Sequence, residues 1–196
     1  MEEKILTEQE SLQLITKMIN QAKNKYYESG LGSLLWGFTN LICFTLTYLM
    51  DTIKGFNLPF NPFYLMGITF ILHFYFDRKE ARFKVSKSHP DDIHKYVWAA
   101  FGICVLILTI VGGIANIGYI VIPALLLLFG MPTFISGCIS KFAPFILGGI
   151  VFWILSIVTF LFQSEMSLLF VAAGATIAWI IPGFILRAIF FKTIPK

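Results

Sequence analysis

From Tyr96 to Ile139 the chain runs 44 residues without a Lys, Arg, Asp, Glu or His. A water-soluble domain cannot hide a run of that length, because some of its faces meet solvent and would be polar. Hydrocarbon about 30 Å thick takes about 20 apolar residues per helix, so the run predicts two membrane spans joined by a tight turn. Gly112-Gly113-Ile114-Ala115-Asn116 is the breaker cluster inside it, and the turn is predicted there.

The same criterion picks out six apolar segments, about 32–50, 62–76, 96–114, 117–139, 142–162 and 167–190. They predict an all-α polytopic membrane protein, with a six-transmembrane-helix bundle over residues 31–196. Three helical hairpins (spans 1–2, 3–4 and 5–6) are one way to pair them. Hydrophobic residues make up 57% of the chain and charged ones 13%, against roughly 45–50% and ~25% in soluble domains. Asn61 is expected to cap the second span with Pro62 at its first position, and Ser88 with Asp91 to box the start of the third. The second segment is short, so it is predicted to begin nearer Pro59 or to continue past Phe76.

Charge orients the set. With the N-terminus in the cytoplasm, 14 of the 15 Lys and Arg residues fall on the inner side and only Lys54 outside. Short loops keep their basic residues cytoplasmic, which predicts both termini inside and a basic cytoplasmic loop over 77–96. The net charge of +4 flanks spans and does not suggest nucleic acid. The first 30 residues lack an apolar core, so no cleavable signal peptide is expected. Instead Thr7-Glu8-Gln9-Glu10 followed by Leu12, Ile15, Ile19, Ala22 and Tyr26 predicts an amphipathic cytoplasmic helix over residues 1–30. It suits packing under the bundle, docking a partner or lying on lipid.

Polar residues at membrane depth are functional candidates by default. Ser33, Gly37, Asn40, Thr47 and Asp51 share one face of span 1. They read either as the wall of a cavity or as small and amide residues that hold helices together. Span 2 carries Thr69, His73 and Asp77 at i, i+4 and i+8, where the imidazole meets a carboxylate one turn on. Arg187 sits at similar depth on span 6, on the face of Thr176, Trp179 and Gly183, and its side chain snorkels readily. Convergence of Asn40, His73 and Arg187 would make a cytoplasm-open pocket for an anionic or amide-bearing ligand. Gly130, Pro132, Pro182 and Gly183 are candidate helix breaks, which elsewhere mark transporter sites or are plain kinks.

Known chemistry is sparse. Three cysteines in or near spans argue against a disulfide framework, and no Cys/His spacing suits a metal. His89-Pro90-Asp91-Asp92-Ile93-His94 reads as the first turn of a helix, with carboxylates at its positive end. No nucleotide loop or catalytic triad is present, so neither an enzyme nor a cofactor is expected.

Four strings, Glu10-Ser11-Leu12-Gln13-Leu14-Ile15, Leu35-Trp36-Gly37, Gly130-Met131-Pro132-Thr133-Phe134-Ile135-Ser136-Gly137 and Ile181-Pro182-Gly183-Phe184-Ile185-Leu186-Arg187, are spread over the chain. It thereby resembles a group of small, uncharacterised six-span inner-membrane proteins of Gram-negative anaerobic bacteria. The resemblance implies a bacterial inner membrane and no particular activity. The expected role is a non-enzymatic membrane component that senses, scaffolds or regulates a cytoplasmic protein partner. The alternative is a small permease or channel for a small neutral or lipophilic solute. Gly174…Ala178 and Ser33…Gly37 would permit a homo-oligomer.

Overall fold

Lipid offers no water to a bare backbone, so an apolar chain meets its N–H and C=O groups internally, as helix. The computed structural model describes residues 7, 9, 12, 13, 16, 29–81, 89–115, 117–162 and 164–193, and among them there is no strand. The helices are α1 (Leu31–Thr52), α2 (Tyr64–Ala81), α3 (His89–Ala115), α4 (Gly118–Ser140) and α5 (Ala143–Phe162). A last rod joins α6 (Ser167–Ala175), a π turn (Thr176–Ile180) and α7 (Ile181–Thr193). Five stretches are long and apolar enough to cross a bilayer: α1, Ile93–Ala115, α4, α5 and Ser167–Phe191. The chain is therefore a multi-pass membrane protein.

The second helix is the exception. It has 18 residues but closes on Asp77-Arg78-Lys79-Glu80. Its apolar part, Tyr64 to Phe76, rises only about 20 Å, short of the hydrocarbon thickness.

Successive rods alternate in direction. Gly32 of α1 lies against His73, while Cys43 Sγ donates to the Pro62 carbonyl at 3.1 Å, so α2 runs back along α1. In the same way Gly112 meets Val121, Gly137 meets Ile146, Gly148 meets Ala178, and Gly37 meets Ile180. This order gathers Arg78, Lys79, Lys95, Lys141 and Arg187 at one end and leaves Lys54 at the other. Sequential rods pack together except α2 and α3, and the most extensive interface, α4 with α5, lies between two of the expected hairpins.

The core comes from α1, α4, α5 and the last rod, with Phe44, Leu126, Phe152, Val171 and Ala178 buried in it. Outside it, α2 and α3 keep apolar faces uncovered; Ile71 and Ile114 are 70% and 82% exposed. In water such continuous faces would aggregate, whereas lipid accepts them. Backbones approach closely where side chains are missing. A methyl group added at Gly149 would stand 2.9 Å from the Gly130 carbonyl oxygen. Gly30 adopts a left-handed φ of 71° at the start of α1, where an added methyl would lie 2.5 Å from the Gly183 oxygen.

Several expected boundaries move. The turn foreseen at 112–116 comes later: α3 continues through both glycines to Ala115, and the Ile117 N–H donates to the Gly112 carbonyl at 3.2 Å. Gly112 is there for packing, since Val121 fills the place a side chain would take. The 77–96 loop is shorter than expected, because α2 extends to Ala81 and α3 starts at His89. Charged residues such as Arg78 and Lys79 are good helix formers, so the helix outlasts the apolar layer. Of the N-terminal segment, Gln9, Leu12, Gln13 and Thr16 are helical, and Thr16 Oγ1 donates to the Leu12 carbonyl. Residues 1–6, 8, 10, 11, 14, 15 and 17–28 of that segment, with 82–88, lie outside the described residues.

Asn61 behaves as a cap: its Oδ1 accepts the Phe63 N–H at 3.0 Å. The chain then winds through three-residue bonds before regular helix begins at Tyr64. Asn61→Ala is expected to cost about 1 kcal/mol in chemical unfolding in micelles, and Asn61→Asp to restore most of it.

Candidate functional site

Proline at 182 has no N–H to give, and the last rod adjusts by widening. The Ile181 N–H donates five residues back, to Thr176, which makes the π turn. Such turns concentrate at functional positions. This one lies in the most buried rod of the bundle, with Ala178 fully buried and Trp179 only 3% exposed.

A collar of polar and aromatic groups holds the turn. Ser33 Oγ donates to the Trp179 carbonyl at 2.7 Å, which ties α1 to the widened backbone. Trp179 Nε1 donates to Thr133 Oγ1 at 2.9 Å, and that hydroxyl donates to the Phe129 carbonyl at 2.7 Å. The Trp179 ring stands 5.0 Å from Phe129, 5.2 Å from Phe152 and 6.4 Å from Trp98. Trp98 Nε1 in turn donates to Ser136 Oγ at 3.2 Å, and Ser136 Oγ lies 3.3 Å from His94 Nδ1. Through its ring, its indole N–H and its backbone carbonyl, Trp179 thus connects α3, α4, α5 and α1 to the π turn. Its bonds run to hydroxyls inside the bundle, and such groups orient helices.

The residues singled out from the sequence fall in different surroundings. Asn40, 1% exposed, donates from Nδ2 to the Trp36 carbonyl at 2.8 Å, while its Oδ1 has no donor. Thr47 donates to the Cys43 carbonyl, and Thr176, first in the π turn, to Ala172. Thr69 is buried, with its hydroxyl 2.5 Å from that of Thr39. His73 Nε2 is 3.5 Å from Asp77 Oδ2, which is the i, i+4 contact expected, and its ring meets Trp36 edge-on at 6.3 Å. Its Nδ1 faces Gly32 and has no partner. Arg187 lies 5.1 Å over the Phe191 ring, toward the basic end of the rod.

His73 and Arg187 do share a level, since Gly32 abuts the one and Gly30 the backbone of the other. Asn40 stands eight residues beyond Gly32, about 12 Å deeper along α1. The three therefore do not surround one space. Gly130 and Pro132 do not end α4, which runs as one helix through Pro123 and Pro132. Hydroxyls bond the backbone close by: Ser156 Oγ donates to the Pro123 carbonyl and Thr133 Oγ1 to that of Phe129. Of the four candidate breaks, only those at Pro182 and Gly183 adjoin a departure from α geometry, in the turn just before them.

Trp179, Thr133, Trp98, Ser136 and His94 are the collar residues that no motif announced. A tryptophan three residues ahead of a mid-span proline was the available signal. Among the described residues no three His, Cys, Asp or Glu side chains gather as a metal set. No protein family, curated protein or solved structure matches the chain.

Proposed function

We propose that the chain is a six-span, non-enzymatic protein of a bacterial inner membrane that senses, scaffolds or regulates a cytoplasmic protein through its basic face. Both termini lie in the cytoplasm, and the N-terminal segment is the docking element. The carrying observation is the filled centre: Trp179, Phe129 and Phe152 pack where a conduit would run, and Phe152 is 0% exposed. A bundle closed by its own aromatics holds a shape, and a shape is what a scaffold presents. The helical ends beyond Phe76 and before Tyr96 extend a charged surface for a partner on the same side. The π turn favours a second reading, a small permease for a neutral or lipophilic solute, since such turns are frequent at functional sites.

Purification of the intact chain in nanodiscs separates the two. The regulator reading expects a stoichiometric soluble protein, lost when residues 1–30 are deleted while the unfolding temperature of the membrane domain is unchanged. Saturable solute flux by the chain alone in proteoliposomes, with no such companion, would overturn it.

A further inference from the structure

The strongest feature that the role above leaves unused is at the end opposite the basic cluster. An open groove of about 450 Å³ lies between the last turns of α1 and the segment that leads to α2. Thr47, Asp51, Phe60, Asn61, Phe63 and Tyr64 line it.

Its floor is fixed. Cys43 Sγ on the Pro62 carbonyl and the edge-on rings of Phe44 and Phe63, 5.3 Å apart, pin the segment to the side of α1. Pro59 and Pro62 limit its backbone further. Pro62 is thereby level with Cys43, nine residues before the end of α1, or about 13 Å below it. Irregular backbone at membrane depth persists where protein covers it or water reaches it. An open groove beside this segment supplies that water, so a polar ligand can reach the same depth.

The lining chemistry is selective. Asp51 is the one ionisable acid in the groove, it is exposed, and among the described residues no cation stands within 4 Å of it. The rings of Phe60, 46% exposed, and Tyr64, 71% exposed, line the same groove. A carboxylate and aromatic rings in one groove suit organic cations, because ring quadrupoles and the negative charge both attract an ammonium group. A hydrated metal ion would gain nothing from the rings.

We propose that this groove binds an alkylammonium group, with Asp51 as counter-ion and Phe60 and Tyr64 as its walls. The amine belongs to a small soluble cation or to a phospholipid headgroup. Recognition depends on the groove alone, so it stands whichever way the bundle is inserted and whatever partner the basic face takes.

The test is calorimetric titration of the full chain in phosphatidylglycerol nanodiscs with tetramethylammonium and ethanolammonium chloride, against sodium chloride at equal ionic strength. A saturable response to both amines and none to sodium is expected. Asp51→Asn should weaken it about tenfold, Tyr64→Ala about threefold, and Asp51→Glu should keep it. Asp77→Asn, at the other end, should leave it unchanged. An unaltered unfolding temperature shows that each variant is folded. Adding phosphatidylethanolamine to the nanodiscs abolishes the soluble response if the headgroup is the occupant and spares it if a free amine is. A response to sodium equal to that for the amines, or full affinity in folded Asp51→Asn, would overturn the proposal.

Discussion

Trp179→Ala is expected to destabilise the protein by about 3–5 kcal/mol, the largest loss from any single truncation in the bundle. The indole touches three other aromatic rings and makes the buried bond to Thr133. In lipid the loss is mostly of dispersion contacts, because the tails outside are as apolar as the core. Trp179→Phe keeps a ring and loses the N–H, so about 1–2 kcal/mol is expected. Unfolding in mixed micelles, followed by the fluorescence of Trp36, Trp98 and Trp153, measures both. Equal stability of Trp179→Ala and the wild type would mean that the collar does not hold the π turn.

Gly149→Leu should come next, at more than about 3 kcal/mol, because no flexible atom can give way. Its first added carbon would lie 2.6 Å from Phe134 Cβ and 2.9 Å from both Phe134 Cα and the Gly130 oxygen. Helices α4 and α5 would have to separate. The same substitution at Gly102 of α3 meets nothing within 4 Å and points to lipid, so it should stay within about 0.5 kcal/mol. Paired unfolding curves for the two variants separate close packing from glycine loss as such.

The long uncharged run and the basic asymmetry make the helical, membrane-crossing character legible in the sequence. Both follow from transfer energetics, which a sequence displays residue by residue. The Asn61 cap and the His73–Asp77 contact were legible too, because their partners lie within one turn. The collar was not. Trp179 meets Thr133 and Ser33 across 46 and 146 residues, and no local pattern encodes such pairing. Similar depth on spans 2 and 6 suggested His73 and Arg187 as neighbours and a pocket shared with Asn40, but side-chain depth depends on where each helix starts. Gly30 and Gly32 set that register through contacts the sequence does not reveal. Likewise the packing of Pro62 and Phe63 against α1, beside the groove near Asp51, has no signal in the local sequence.

Cysteine labelling in intact cells probes most directly whether six rods cross lipid with basic residues on the cytoplasmic side. Single cysteines at positions 54, 79 and 141, with Cys43, Cys104 and Cys138 replaced by alanine, are exposed to a membrane-impermeant maleimide. Lys54→Cys is expected to react at once, and Lys79→Cys and Lys141→Cys only after the membrane is opened. Labelling of position 79 alongside position 54 in sealed cells would contradict it, since α2 would then not cross.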